Sequence, residues 1–173
     1  MANSASNEEE RLRALVETGS LSAEPTPTLD EICQEAKHHF DVPIALVTLV
    51  DRHKLLVKAA QGLSVSELPR DTAVCTYTIL SDRVLTIPDM LVDEQFRHNP
   101  LVVGEPYLRF YAGAPLRYLE DIRLGSLCIL DMKPRTFSPG DKAELEEMAD
   151  RVVAAIAAQE LKALETAATG LLQ

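Results

Sequence analysis

Arg109-Phe110-Tyr111-Ala112-Gly113-Ala114-Pro115-Leu116, followed by Arg123-Leu124-Gly125-Ser126-Leu127-Cys128-Ile129-Leu130-Asp131, decides the fold. Both stretches read as apolar strands, and the short charged segment Tyr118 to Asp121 between them reads as a turn. The pair is therefore expected to form a hairpin over 108–117 and 122–131. Upstream lies a long polar, proline-broken excursion, Asp89 to Pro106. A sheet with an irregular excursion beside it is a common way to build a small-molecule pocket.

Working outward, Ile44 to Val50 is a continuous apolar run, Asp51-Arg52-His53-Lys54 is a turn, and Leu55 to Gln61 is a strand stopped by Gly62. These residues predict a hairpin in the centre of a sheet. Ser64 to Asp71 reads as a loop, Thr72 to Leu80 as a short helix and Val84 to Ile87 as a short strand. Toward the N-terminus, Leu12, Leu15 and Val16 mark a short amphipathic helix over 8–18, with Gly19 as its stop. Ser20 to Thr26 reads as a linker. Thr28 and Glu31 have the spacing of a capping box, opening a helix with Leu29, Ile32, Cys33, Ala36 and Phe40 on one face. Ser138-Pro139-Gly140-Asp141 opens the last helix, with Ser as N-cap and Pro at the first helical position. Leu145, Met148, Val152, Ile156 and Leu164 form its apolar stripe, serving core and dimer surface together but too short to establish a coiled coil.

Hairpins make antiparallel neighbours, so the expected class is α+β. The terminal helices should cover one face of a central antiparallel sheet. The excursion should cover the other, with a ligand cavity beneath it. The expected organisation is an N-terminal helix and linker over 1–27, a domain over 28–160 and a helix extension or tail over 161–173.

The 173 residues suit one domain with a real core. Aromatics make up only 5% and Trp is absent, so the core must be mostly aliphatic. A net charge of −10 repels nucleic-acid phosphates and anionic membranes, which excludes both as expected partners. The acidic start Met1 to Glu10 is no signal peptide, and no apolar run reaches the length of a membrane span, so a cytoplasmic location is expected. Three widely spaced cysteines, Cys33, Cys75 and Cys128, fit neither a disulfide framework nor a local zinc motif. No metal site is expected, and the identity of any cofactor is left open.

Several phrases occur in an order that resembles GAF domains, from about Leu29 to Ala157. They are Val42-Pro43-Ile44-Ala45-Leu46-Val47, Pro69-Arg70-Asp71, Cys75 with Ile79, Ile87-Pro88-Asp89 and Phe96-x-x-Asn99-Pro100-Leu101-Val102. The two hairpin strands and Pro134-Arg135 follow. The resemblance implies a GAF/PAS-like fold and a sensory module of the kind attached to histidine kinases or cyclic-dinucleotide enzymes. It also implies dimerisation through terminal helices. The Asn, Lys, Phe, Asp and Glu signature of cyclic-nucleotide-binding relatives is not reproduced over 93–99. Cys75 is followed by Thr76, preceded by Val74 and four residues after Asp71, which fits neither bilin-attachment pattern. The paired-cysteine pattern of relatives that reduce free methionine sulfoxide is not seen either.

The candidate ligand-binding residues are Arg70, Asp71, Cys75, Asp89, His98, Arg109 and Tyr111. Arginines at a cavity can clamp a carboxylate or phosphate; equally, Arg70 or Arg109 can pair with Asp89 or Asp71 and pin the excursion to the sheet. Cys75 at the start of the excursion is either a tuned thiol or, the favoured reading, a small buried hydrophobe. Cys33 and Cys128 read as core. His98 can ligate a metal or simply hydrogen-bond within the loop. Phe110 and Tyr111 must face opposite sides of the sheet, but periodicity leaves open which side each takes.

The expected function is ligand sensing without catalysis, in which a small molecule shifts the packing of the excursion and terminal helices. The expected partners are that unidentified ligand, a second copy of the chain, and an output domain or kinase. One alternative is a cysteine-based redox enzyme of the free methionine sulfoxide reductase type, with Cys75 as nucleophile and Cys128 as resolving thiol. It requires the two sulfurs to come within disulfide reach. The other alternative is a ligand-free dimerisation module with a collapsed cavity.

Overall fold

A computed structural model describes residues 5–21 and 26–171. The expected linker over 20–26 and the expected helix extension or tail over 161–173 fall partly outside them. Helix α1 (Ala5–Glu17) and helix α2 (Pro27–His39) precede strands β1 (Ile44–Val50), β2 (Lys54–Gln61) and β3 (Glu67–Pro69). A 3-10 turn, Arg70–Thr72, leads to the short helix α3 (Cys75–Thr78) and strand β4 (Leu85–Ile87). Helix α4 (Pro100–Val103), strands β5 (Phe110–Leu119) and β6 (Ile122–Asp131), and the long helix α5 (Pro139–Leu171) complete the order.

The two expected hairpins are present, and together they make the middle of one antiparallel sheet of order β3-β2-β1-β6-β5-β4. The centre is the β1–β6 pair, so β2 lies one strand out from the middle. β3 occupies part of the expected loop over 64–71. It is only three residues long and carries Pro69, which suits an edge strand with nothing beyond it to receive an N–H.

Local chemistry explains the helix ends. Gly19 takes φ +74 just after α1, the left-handed conformation that closes a helix. α2 begins one residue before the expected capping box. Pro27 takes the first turn with Thr26 at the N-cap, so Thr28 lies inside the helix, and Thr26 makes no side-chain cap. At α5 the reciprocal cap is formed: Asp141 N–H donates to Ser138 Oγ at 3.0 Å, and Ser138 N–H donates to Asp141 Oδ2 at 2.9 Å.

Alternation along the strands produces two cores. On one face Val47, Leu49, Phe110, Ala112, Leu127 and Ile129 pack with Leu15 of α1, Leu29 and Ile32 of α2, and Leu145, Val152 and Ile156 of α5. On the other, Leu46, Tyr111, Cys128 and Leu130 pack beneath Ile79, Met90, Phe96 and Val102 from the excursion side. Tyr111 thus takes the excursion face and Phe110 the helix face. The α5 stripe divides: Ile156 is its last buried residue, Gln159 and Glu160 are half-buried, and Leu164 is 61% exposed, on the part of the stripe left for a partner surface.

Candidate functional site

The space expected to hold a ligand is occupied by side chains. Tyr111 lies along β5 above Gly113; a Cβ at residue 113 would come within 2.3 Å of the Tyr111 hydroxyl. Gly113 therefore gives the ring its room. The Tyr111 hydroxyl is 2.6 Å from Thr78 Oγ1 and donates to Cys75 Sγ at 3.4 Å. Ser126 Oγ donates to the same sulfur at 3.0 Å and lies 2.9 Å from Thr48 Oγ1. The Cys128 sulfur is 3.9 Å from that of Cys75.

Five polar side chains from β1, β5, β6 and α3 thus gather around one sulfur: Tyr111, Ser126 and Cys128 reach it, and Thr78 and Thr48 hold Tyr111 and Ser126. The hydrogen bond from Cys128, helped by Ser126, Thr48 and Tyr111, pulls the Cys75 thiol below its ordinary range against the opposing effect of burial. Cys128 moves the opposite way, because its proton is held by Cys75 and because it is buried. Burial, then the charge on Cys75, pushes the Tyr111 hydroxyl up.

Of the seven expected site residues, Cys75 and Tyr111 meet here. Arg70 turns away: its Nη1 donates to Glu8 Oε1 at 2.7 Å and to the Asp51 carbonyl at 3.1 Å. Arg109 holds the excursion through carbonyls, donating to Val102 O at 3.0 Å and Leu108 O at 2.9 Å. Asp89 accepts the Leu91 N–H at 3.1 Å, while Asp71 and His98 are exposed. The expected pairing of Arg70 or Arg109 with Asp71 or Asp89 is replaced by these contacts.

Thr48, Thr78 and Ser126 were not among the expected residues. A signal for two of them exists in the sequence: Thr48 and Ser126 are polar interruptions of apolar strands, and they are register partners across β1 and β6. Clefts of about 630 Å³, beside Gln34 and His38, and about 740 Å³, at Leu63 to Ser66, lie away from Tyr111. Among the described residues, no group of three or more His, Cys, Asp or Glu is placed to hold a metal.

A second polar locus anchors α1. Arg11 grips Glu8 with Nε and Nη2, both at 2.9 Å, and Arg70 reaches the same carboxylate. Burial alone would raise the Glu8 carboxyl. The hydrogen bonds and charges of Arg11 and Arg70 outweigh it and hold the group at about 2, against an ordinary 4.5. The contribution is present above 4.5 and is lost as pH falls toward 2. Glu8→Gln is expected to cost about 1 kcal/mol at neutral pH, since the site is partly exposed and screened. Urea unfolding of both proteins at stepped pH should show that difference shrinking on acidification.

A sheet with helices on one face and an excursion on the other defines the class as an α+β domain of the GAF type. The GAF domain family model matches residues 24–156, and the chain belongs to this family. It is 38% identical over 151 residues to a cyclic di-GMP phosphodiesterase of Pseudomonas aeruginosa, a match that covers 87% of this chain and 26% of that protein. The chain therefore spans about a quarter of that relative's length. Among solved structures, the GAF domain of an Acinetobacter phosphoenolpyruvate-protein phosphotransferase is similar at TM-score 0.65 and 18% identity, over 94% of this chain and 97% of that one. The free methionine-R-sulfoxide reductase of Neisseria meningitidis, in complex with its substrate, is similar at TM-score 0.64 and 18% identity, over 93% and 94%. At these identities the two structures show the shared fold. Among the described residues, no helix is long and apolar enough to cross a membrane.

Proposed function

We propose that this chain is a cytoplasmic regulatory domain of cyclic di-GMP signalling that works as a homodimer joined along the C-terminal half of α5. One observation carries the reading. Ala154, Ala157, Leu161, Leu164, Ala168 and Leu171 recur at alternating steps of three and four residues, the a and d spacing of a coiled coil. Leu161 is 58% exposed and Leu164 61%, and Ala154, Ala157 and Ala168 are exposed too. This seam is separate from the buried stripe of Leu145, Val152 and Ile156, so α5 has one apolar face for its own sheet and another for a partner.

The occupant that matches the seam is a second copy, because a two-fold axis sets each a or d residue against its equivalent. Two parallel α5 helices would carry a change in the domain to an output at their C-terminal ends. The cyclic di-GMP phosphodiesterase similarity supports an output of that chemistry, assigned here to another domain or chain rather than to this fold.

A small molecule at the excursion–sheet contact would have to displace Tyr111, and would so select an opened excursion. Cys75 and Tyr111 would meet it first, and Arg70, Asp71, Asp89, His98 and Arg109 would join only by leaving their present partners or turning in from the surface. The sulfur separation of 3.9 Å favours the reductase alternative, but the packing around Cys75 leaves a methionine sulfoxide no room without the same displacement.

Light scattering is expected to give about twice the 19.0 kDa chain mass. Leu161→Glu combined with Leu164→Glu should give the single-chain mass with an unchanged circular dichroism spectrum. A wild-type monomer at about 50 μM would sink the proposal.

A further inference from the structure

We propose that Cys75 and Cys128 are a redox-active dithiol, which a small hydroperoxide converts to a disulfide joining the excursion to the centre of the sheet. The sulfurs lie 3.9 Å apart, and a disulfide requires about 2.05 Å. The two partners differ in freedom. Cys128 is held in β6 between Leu46 of β1 and Gly113 of β5. Cys75 opens a four-residue helix between a 3-10 turn and an irregular segment, so the adjustment falls on α3.

The surroundings suit the chemistry. Ser126 and Tyr111 both donate to the Cys75 sulfur, which favours its thiolate, the form that reacts with peroxide. Cys33 is the internal control. It sits in the helix-side core, where burial pushes its thiol up to about 12. Exposures of 4% for Cys75 and 1% for Cys128 restrict the oxidant to a small molecule that enters as the excursion opens.

In the first step the Cys75 thiolate attacks one peroxide oxygen. The O–O bond breaks, the sulfur becomes a sulfenic acid, and the leaving oxygen takes a proton to form an alcohol or water. In the second, the Cys128 sulfur attacks the Cys75 sulfur. The S–O bond breaks, the Cys128 proton leaves with the hydroxyl as water, and one S–S bond forms. Two thiols and one hydroperoxide thus give one disulfide, one alcohol and one water, with two electrons passing to the peroxide. The bond would form close to where α1 is anchored. Thr76 Oγ1 donates to the Arg70 carbonyl at 2.6 Å, and Arg70 holds Glu8.

The test is to treat the purified chain with hydrogen peroxide, denature it in acid, alkylate it with N-ethylmaleimide and map the digest by mass spectrometry. Two of the three thiols should be lost, with a Cys75–Cys128 linked peptide and Cys33 fully alkylated. The intact mass before alkylation should fall by about 2 Da, the two hydrogens removed. Cys128→Ser should instead leave Cys75 as a sulfenic acid that dimedone captures. The proposal is overturned if all three wild-type thiols survive peroxide that fully oxidises free glutathione, or if Cys33 is lost as fast as Cys75. The wild-type result needs no variant to fold, and it is independent of whether α5 dimerises.

Discussion

Tyr111→Ala is expected to lower the free energy of unfolding by about 3–5 kcal/mol, in the range of large aromatic truncations in packed cores. The ring is 1% exposed and fills the contact between the excursion and the sheet. Its removal leaves a hole that β5 and β6, paired along most of their length, cannot close. It also leaves the Thr78 hydroxyl without the partner it has at 2.6 Å. Tyr111→Phe separates the two effects. It keeps the ring and deletes the hydroxyl, for an expected cost of about 1–2 kcal/mol. Urea unfolding should show both changes in the midpoint with the slope unchanged. An alanine variant as stable as the phenylalanine one would mean that the ring does not fill this space.

Gly125→Ala is expected to be at least as damaging. A Cβ there would lie 1.9 Å from the Thr48 carbonyl oxygen, 2.7 Å from its carbon and 2.8 Å from the Leu49 Cα. These are backbone atoms of the strand that pairs with β6 at the centre of the sheet, so no rotamer change relieves the clash. The strands must separate, at an expected cost above about 3 kcal/mol, beyond the usual penalty of an overpacked core. Gly170→Ala is the contrasting case. It lies in α5 with nothing within 4 Å of the new Cβ, and should gain up to about 1 kcal/mol of helix propensity. Thermal melts of the two variants should move in opposite directions.

The contrast between these glycines marks what a sequence can carry. Both hairpins, the buried face of α2 and the Ser138 cap of α5 were legible, because each rests on patterns within about two dozen neighbouring residues. The family resemblance was legible for the same reason, as short phrases in order. β3 was hidden because Pro69 and the serines just before Glu67 have loop chemistry, and only pairing with β2 makes Glu67–Pro69 an edge strand. The partner of Arg70 was not legible, because Glu8 lies 62 residues away and no local pattern connects them. Where the α5 stripe passes from core to open surface was not legible, for a related reason. Helical spacing shows that a face is apolar, but not where the sheet beneath it stops. The polar cluster around Cys75 was half legible: Cys75, Tyr111 and Cys128 stand out as reactive or polar side chains in the sequence, while Thr48 and Ser126 gain meaning only from the register of β1 and β6, which sets them side by side.

The most direct test of the central claim is a cross-link at the seam. Ala168→Cys places a thiol at an exposed a/d position of α5, and in a parallel two-fold pair the two copies face each other within disulfide reach. Mild oxidation followed by a non-reducing gel should then give a covalent dimer, while Glu165→Cys, off the seam, should give little. Equal cross-linking at both positions, or none at 168 in a protein that circular dichroism shows to be folded and light scattering to be monomeric, would contradict the account.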